Sequence, residues 1–237
     1  MRRFALVLFA CCVAALPSLA RGATPEDQPN TLTDAEKAAG FKLLFDGQTT
    51  SGWRGYRKEN CPSAWQAADG ALTLRGRGGD IITQDQFESF ELHLEWRISP
   101  GGNSGIFYHV KETNEPAYAT GPEIQVLDNQ GHADGKKPIT TAGSCYALYA
   151  PTKDVTKPVG EWNQVKVIVK GPHVEHWMNG EKIVEYEKGS EEWNAKVAGS
   201  KFSKMPNFGK PTKGHLCLQD HGDEVAYRNI KIRELKP

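Results

Sequence analysis

The chain has 237 residues, which is enough for one or two domains. Hydrophobic residues make up 38% and charged residues 24%, so a globular core can form, and the 24 Gly and 14 Pro favour a turn-rich β protein over a helical bundle. The 29 Lys and Arg balance the 29 Asp and Glu, and this zero net charge argues against nucleic acid or an anionic membrane as a partner.

Residues 1–20 have the features of a secretory signal peptide. A basic start precedes an apolar run over residues 4–16, which is too short to span a bilayer. Ser18 and Ala20 supply the small residues that favour cleavage after Ala20. We therefore expect a periplasmic or secreted protein that is not inserted in the membrane after cleavage; an uncleaved anchor and a lipoprotein signal at Cys11 or Cys12 are the alternatives.

Cleavage at this point would leave Cys61, Cys145 and Cys217 in an oxidising compartment. An odd number of cysteines allows one disulfide and one thiol. Cys217 lies within an apolar strand pattern, which predicts a buried thiol. Cys61 and Cys145 are then the candidate disulfide pair.

The segment before the first strand pattern divides into a polar linker over residues 21–32 and a short helix over residues 33–40. Thr33 has the side chain of a helix N-cap, and Gly40 fits the position just past the helix end. Residues 41–237 then form the main domain.

Short strand patterns separated by turn signals fill this main domain, with one further short helix at residues 190–197. Asn179-Gly180 and Asp69-Gly70 give the strongest hairpin signals. Many short strands at this spacing predict a sandwich or jelly roll of two sheets. The candidate strands are 42–45, 65–67, 71–74, 81–83, 90–98, 104–110, 123–127, 147–149, 162–170, 173–178, 182–186, 215–219 and 225–233.

Alternation along several of these strands separates an apolar face from a polar one. The alternative interpretation is an ordinary solvated face. Lysine, serine and threonine are scarce there, so we expect the polar faces to join into one concave surface for a sugar, with Phe107 or Trp177 against its ring. The polar faces carry Glu91, His93, Glu95 and Arg97 in 90–98, Glu123 and Gln125 in 123–127, and His215 and Gln219 in 215–219, with His221 just beyond.

Five motifs and a closing strand occur in the order found in a known family. They are Asn103-Ser104-Gly105-Ile106, Glu123-Ile124-Gln125-Val126-Leu127-Asp128, Gly160-Glu161-Trp162-Asn163, Glu175-His176-Trp177-Met178-Asn179-Gly180, Gly214-His215-Leu216-Cys217-Leu218-Gln219-Asp220-His221-Gly222 and Arg228-Asn229-Ile230-Lys231-Ile232. Over residues 41–235 the chain resembles the 3-keto-disaccharide hydrolase family of secreted bacterial proteins. The resemblance implies an all-β fold, a concanavalin-like jelly roll of two curved antiparallel sheets.

The resemblance also implies a hydrolase that acts on glycosides already oxidised at C3 of the sugar. A ketone at C3 acidifies the proton on C2, so a base can remove this proton while the aglycone leaves from C1. Addition of water to the resulting enone completes the hydrolysis. Such a site needs a base, an acid near the leaving oxygen and a group that stabilises the enolate oxygen.

Motif match and strand alternation together give the candidate site residues. Glu123 and His221 are the predicted catalytic acid and base, in an order that the sequence leaves open. Asp128 would reach the same surface only at a bulge or strand end, and a structural role is the stronger interpretation for His176. The predicted substrate-binding residues are Arg97, Asn103, Gln125, Gln219, His176 and Asp128.

Several alternatives stay open at this stage. The residues specify no particular cofactor, and a divalent metal held by Glu123, His221 and Asp128 stays open because it would stabilise an enolate effectively. A lectin-like carbohydrate-binding module would use the same fold without a proton-transfer pair. An ordinary glycosidase would need a second carboxylate, for which Glu91 and Glu95 are available. The oligomeric state and the sugar's anomeric configuration are not specified by these patterns.

Overall fold

The computed structural model describes residues 28–236. The predicted signal peptide and residues 21–27 of the predicted linker lie outside this range. In the described part of the chain, no helix combines the length and apolar character needed to cross a membrane.

The predicted N-terminal helix is present as α1 (Asp34–Ala38). The Thr33 hydroxyl accepts a hydrogen bond from the Glu36 backbone N–H, and the Glu36 carboxylate accepts one from the Thr33 N–H. This reciprocal capping box satisfies two amides that lack partners within the helix. Gly40 then takes a φ of +84°, as expected for the residue just past a helix end.

The described residues contain thirteen strands, which all pair in antiparallel fashion. The strands are β1 (Lys42–Leu43), β2 (Trp53–Gly55), β3 (Trp65–Ala68), β4 (Ala71–Leu74), β5 (Ile81–Thr83), β6 (Phe90–Ile98), β7 (Asn103–Val110), β8 (Glu123–Leu127), β9 (Asn163–Lys170), β10 (His173–Met178), β11 (Glu181–Glu187), β12 (His215–Leu218) and β13 (Val225–Glu234). One sheet has eight strands in the order β11-β10-β9-β6-β13-β4-β3, with β1 also paired to β13; the other has five in the order β2-β5-β12-β7-β8.

A single large apolar core lies between the two sheets. Its largest side chains, including Trp65, Trp96, Tyr108 and Tyr227, are almost completely buried. Each of these strands therefore turns one face inward and leaves the other for solvent or ligand. The predicted two-sheet jelly-roll sandwich is confirmed.

Both strong hairpin signals are confirmed by backbone geometry. Asn179 and Gly180 have φ values of 49° and 88° between β10 and β11, and Asp69 and Gly70 have values of 53° and 71° between β3 and β4. Two successive residues with positive φ give the turn whose twist matches that of the flanking strands. The second helix, α2 (Glu191–Ala198), also forms where it was predicted, capped by the Ser190 side chain.

Two strand assignments were wrong. Residues 147–149 form a tight turn instead of a strand. Ala147 has a φ of +59°, and the backbones of Cys145 and Tyr149 form an isolated antiparallel β-bridge. The strand Trp53–Gly55 was missed because three residues ending in glycine give no alternation signal; it forms through its pairing with β5.

A bulge at His109 changes the face of the last residues of β7. His109 has a φ of 56°, and β12 shifts its register between Cys217, which pairs with Phe107, and His215, which pairs with Val110. Val110 consequently joins Phe107 in an outer apolar cluster, although simple alternation placed it with the core.

The predicted disulfide is absent, and all three described cysteines are free thiols. Cys145 is buried beside the Tyr186 hydroxyl, whereas Cys61 lies in a half-buried loop near Thr50. Cys217 is the buried thiol that the strand pattern predicted.

Candidate active site

The outer face of the five-stranded sheet collects the polar side chains of three strands. Phe107 of β7 pairs with Glu123 of β8 on one side and with Cys217 of β12 on the other. In the next row Gly105 pairs with Gln125, and its carbonyl accepts the backbone N–H of Gln219 at 2.9 Å. Side chains two residues apart on a strand share a face, so Glu123, Gln125 and Gln219 line one surface. We call this surface the cleft.

Glu123 is a buried carboxyl group that lies over a glycine. Glu123 is 6% exposed, and a Cβ atom at Gly105 would collide with its Oε1. Burial raises the pKa of Glu123 to about 8; the positive charge of Lys201 opposes this rise, and the charges of Asp80 and Asp134 add to it. Glu123 is therefore protonated at neutral pH and can donate a proton.

Asp80 is a second carboxyl group on this face, and sequence reasoning missed it. It lies two residues before Ile82, whose β5 position pairs with Cys217. Burial raises the pKa of Asp80 to about 6; a hydrogen bond from the Asp220 N–H at 2.9 Å lowers it and the Asp220 charge raises it. Asp80 is thus ionised at neutral pH, while Glu123 is not.

The loop that follows β12 is fixed against the loop that precedes β5. The Asp220 carboxylate accepts the backbone N–H groups of Gly78 and Gly79 at 2.6 and 2.7 Å. Together with the hydrogen bond from the Asp220 N–H to Asp80, these bonds fix the loop in which His221 follows Asp220. Asp80 could have been predicted from the sequence, because it lies two residues before Ile82 and its side chain therefore points to the same outer face of the sheet.

Amide side chains lie on the same sheet face as Glu123, and one of them contacts it. When its amide nitrogen faces Ser104, the Gln125 side chain donates to the Ser104 carbonyl at 3.0 Å and to Glu123 Oε1 at 3.1 Å. Within residues 28–236, the buried Oε1 of Gln219 and Oδ1 of Asn103 have no hydrogen-bond partner. Asn103 shares its strand face with Gly105 by alternation, so both oxygens can accept from sugar hydroxyl groups.

Imidazole, aromatic and ammonium groups form the rim. The exposed His221 ring lies 6.3 Å from the His132 ring. The Tyr146 hydroxyl donates to Asp134 at 3.0 Å, and Lys201 lies over the Tyr146 ring with Nζ 4.2 Å from its centroid. Lys201 is the cation whose charge acts most strongly on Glu123.

Comparison with known proteins decides the family. The family described as the 3-keto-alpha-glucoside-1,2-lyase-like domain matches residues 40–233. The chain belongs to this family. As a member, it is an enzyme that cleaves glycosidic bonds.

Relatives of known structure or curated function cover most of the chain. A 3-keto-disaccharide hydrolase from Bacteroides thetaiotaomicron is 38% identical over 230 residues, which is 84% of this chain and 79% of the relative. A crystal structure from Parabacteroides distasonis, described provisionally as a glycosyl hydrolase, is 36% identical, has a TM-score of 0.83 and covers 88% of this chain and 100% of its own. A second such structure from the same organism is 27% identical with a TM-score of 0.66, covering 82% and 99%.

We expected the polar faces of all these strands to form one surface. The structure corrects this expectation, because the polar face of β6 belongs to the other sheet and does not join the cleft. Arg97 lies on the outer face of the eight-stranded sheet, where its guanidinium is 4.8 Å from the Trp162 ring centroid. Arg228 stacks on the same ring at 4.2 Å. Alternation assigned Arg97 to a polar face, but it could not show to which sheet that face belongs.

His176 and Asp128 also lie outside the group of cleft side chains. His176 is buried between the sheets, where its Nδ1–H donates to the Gly143 carbonyl at 3.0 Å and burial lowers its pKa to about 4. Burial acts to raise the pKa of Asp128, but its hydrogen bonds from three backbone N–H groups lower it. These donors, at 2.8 to 3.0 Å, are Gly101, Gln130 and Gly131, so the carboxylate closes a turn.

The three residues that the sequence suggested as metal ligands do not form a metal-binding group. In the described range, His173, Glu175 and Glu185 are the residues whose potential ligand atoms all come within 4.8 Å of one another. Glu123, His221 and Asp128 form no such group. The cleft instead offers two carboxyl groups of different acidity with amides and an ammonium beside them.

Proposed function

We propose that this family member is a periplasmic or secreted hydrolase of 3-keto-disaccharides or related 3-ketoglycosides. The observation that carries the proposal is a pair of carboxyl groups, the half-buried Asp80 and the buried Glu123, which lie on one sheet face and differ in pKa. The 3-keto-disaccharide hydrolase from B. thetaiotaomicron, at 38% identity, supports the substrate class. The signal-like residues 1–20 support the location.

In the first half of the reaction, Asp80 removes the C2 proton next to the ketone, and Glu123 donates its proton to the glycosidic oxygen at C1. The C1–O bond breaks and leaves a C1=C2 double bond conjugated to the ketone. The Gln219 amide and the Lys201 ammonium would donate hydrogen bonds to the oxygen that carries the developing enolate charge, while Gln125 orients the Glu123 carboxyl group.

Hydration in the second half restores both carboxyl groups. Glu123, now ionised, takes a proton from water as the water oxygen adds to C1. Asp80, whose proton exchanges with solvent while the aglycone departs, then protonates C2, so that the net reaction is hydrolysis. Each carboxyl group begins and ends in the protonation state that its pKa favours at neutral pH.

An ordinary two-carboxylate glycosidase is the second candidate, because Asp80 supplies the second carboxyl group that such an enzyme requires. Glu91 and Glu95, the residues first considered for this purpose, lie on the other sheet. A lectin-like module is less favoured, since binding alone does not need two carboxyl groups with raised pKa values.

The test is to incubate the enzyme with a 3-keto disaccharide and with its unoxidised parent, with and without a chelator. Cleavage of the oxidised sugar alone supports the proposal, whereas cleavage of the parent alone supports the ordinary glycosidase. Binding without cleavage of either sugar supports the lectin-like module. Loss of activity with the chelator would show that the reaction needs a metal ion.

Running the reaction in D₂O examines the elimination step directly. Return of a solvent-exchanged proton should place deuterium at C2 of the keto sugar product. The product incubated without enzyme controls for spontaneous exchange. A product with only protium at C2 contradicts elimination, even if the keto sugar is cleaved.

A further inference from the structure

A second cavity lies outside the cleft, under the segment that follows β11. Its volume is about 590 Å³, and it is lined by α2, by the short 3₁₀ segment Lys201–Lys204 and by the residues that follow it. Nothing in the proposed reaction uses this cavity. Its lining combines aromatic rings with one partly buried ammonium group, that of Lys188.

Flat aromatic rings form one part of the lining. Trp193 and Phe208 are stacked with centroids 6.0 Å apart and planes 5° apart, and Phe202 stacks on Phe208 at 3.8 Å and 9°. Met205 and Val197 add further apolar surface. Tyr186 stacks on Trp193 as well, and the three lining rings are only 2–5% exposed, so a ligand would meet small parts of their edges together with the apolar side chains. An aromatic ligand can pack on ring edges in an edge-to-face arrangement.

Lys188 provides a positive charge beside these rings. Its Nζ donates to the Pro211 carbonyl at 2.6 Å and to His109 Nδ1 at 2.9 Å. The His109 Nε2–H donates to the Glu88 carbonyl at 2.7 Å, which leaves Nδ1 as an acceptor on a neutral ring. Burial lowers the pKa of His109 to about 3, in agreement with that neutral form.

The Lys188 ammonium has no anionic partner in the described part of the chain. No carboxylate oxygen of residues 28–236 lies within 4.0 Å of its Nζ. Burial lowers the pKa of Lys188 to about 8. A buried cation with neutral partners is costly, and an ammonium group has three N–H donors, of which two are used here.

We propose that this cavity binds a small planar aromatic carboxylate. The ring system would pack against Trp193 and Phe208, and the carboxylate would accept from the Lys188 ammonium. Charge complementarity favours an anion over a neutral ligand, and the apolar lining of ring edges, Met205 and Val197 favours an aromatic ring over a sugar. The site is separate from Asp80 and Glu123, so it does not depend on the proposed reaction.

Calorimetric titration of the full protein with 2-naphthoate and with its neutral analogue 2-naphthamide tests this site. We expect saturable binding of one naphthoate per chain and about 10- to 100-fold weaker binding of the amide, because the amide lacks the charge-assisted hydrogen bond. Lys188→Met should remove this difference between the two probes. Lys210→Met, which changes an exposed lysine on the same lining, should preserve it.

Two further variants keep the result decisive. Ser203→Trp places an indole at the cavity wall and should abolish naphthoate binding even if Lys188→Met does not fold. Glu123→Gln should leave binding unchanged, and a loss there would locate the acid in the cleft instead. Equal affinity for both probes, undiminished binding by folded Lys188→Met or Ser203→Trp, or no saturable binding would overturn the proposal.

Discussion

The outer faces of the two sheets carry similar residue types, but their carboxyl groups have different partners. On the eight-stranded sheet, Arg228 donates to Glu95 at 2.7 Å and Arg233 donates to Glu91 at 2.9 Å. Burial acts to raise the pKa of Glu91, but the hydrogen bonds from Arg233 and His93 outweigh it and lower the pKa.

On the five-stranded sheet, by contrast, the buried Glu123 and the half-buried Asp80 have no cation to neutralise them. Among the described residues, no Lys, Arg or His nitrogen lies within 4.0 Å of Asp80 or Glu123. Both pKa values are raised, with burial as the largest cause. Alternation identifies a polar face. Whether that face is structural or reactive depends on whether its charged groups are paired with opposite charges.

The difference between the two faces is tested most directly by neutralising one carboxyl group on each of them. Glu123→Gln should lower kcat on a 3-keto disaccharide by at least about 100-fold, because the amide cannot donate a proton to the leaving oxygen. Glu95→Gln, the matched change on the other sheet, should alter kcat by less than about twofold. Similar losses in both variants would mean that the two faces do not differ in function.

Asp80→Asn should lower kcat by about 100-fold and also change the pH profile. The proposed base must be ionised, so wild-type kcat/KM should fall below about pH 6; the proposed acid must be protonated, so it should fall above about pH 8. Asp80→Asn should lose the acidic limb of this profile. Because the two groups interact, the measured values describe the pair.

His221 provides the contrasting variant for Asp80. Its exposed ring at the rim predicts that His221→Ala lowers kcat/KM by about tenfold at most and retains the acidic limb. If His221→Ala removes that limb and Asp80→Asn does not, His221 is the base, which is one of the two roles that its motif position left open.

Gly105→Ala tests the fit between the sheet and the Glu123 carboxyl group. The added methyl group would collide with Glu123 Oε1, so the carboxyl group must move, and we expect kcat to fall by about tenfold or more. Gly199→Ala is the control, since its nearest atom is the Ala195 carbonyl oxygen at 3.5 Å. Thermal unfolding of both variants separates a displaced carboxyl group from a damaged fold; full activity in Gly105→Ala would show that the position of Glu123 is not critical.

Strand alternation was sufficient to predict the sandwich and to place Glu123, Gln125 and Gln219 together. It depends only on side-chain parity within a strand, which local sequence shows. It could not show that Arg97 belongs to the other sheet, because the sheet that receives a strand is decided by long-range pairing. The prediction that one polar surface collects all these strands failed for that reason.

Residues outside regular strands escaped prediction for a different physical reason. Asp80 precedes β5 and reaches the cleft only because β5 pairs with β12. Lys201 comes from a separate 3₁₀ segment. The bulge at His109 depends on a single residue with positive φ, which periodicity does not reveal.

Lys201 offers a smaller test of the electrostatics of the five-stranded face. Its charge lowers the pKa of Glu123, so Lys201→Met should raise that pKa and move the alkaline limb of kcat/KM to higher pH. We expect kcat to fall only several-fold, since the amide groups still contact the substrate. Lys204→Met, in the same 3₁₀ segment, is the control; an unchanged alkaline limb in Lys201→Met would remove Lys201 from the site.

The smallest effect should come from the paired face and should concern stability alone. Arg228→Met removes the ion pair with Glu95 and the stacking on Trp162, in a region that remains partly exposed to solvent. Such contacts contribute on the order of 1 kcal/mol, so the free energy of unfolding in urea should fall by about that amount while kcat stays constant. The control Lys170→Met, which changes an exposed lysine on β9 of the same sheet, should change neither quantity. A loss of kcat in Arg228→Met without a loss of stability would mean that this face takes part in the reaction. Glu95 would then need its ion pair with Arg228 for catalysis and not only for folding.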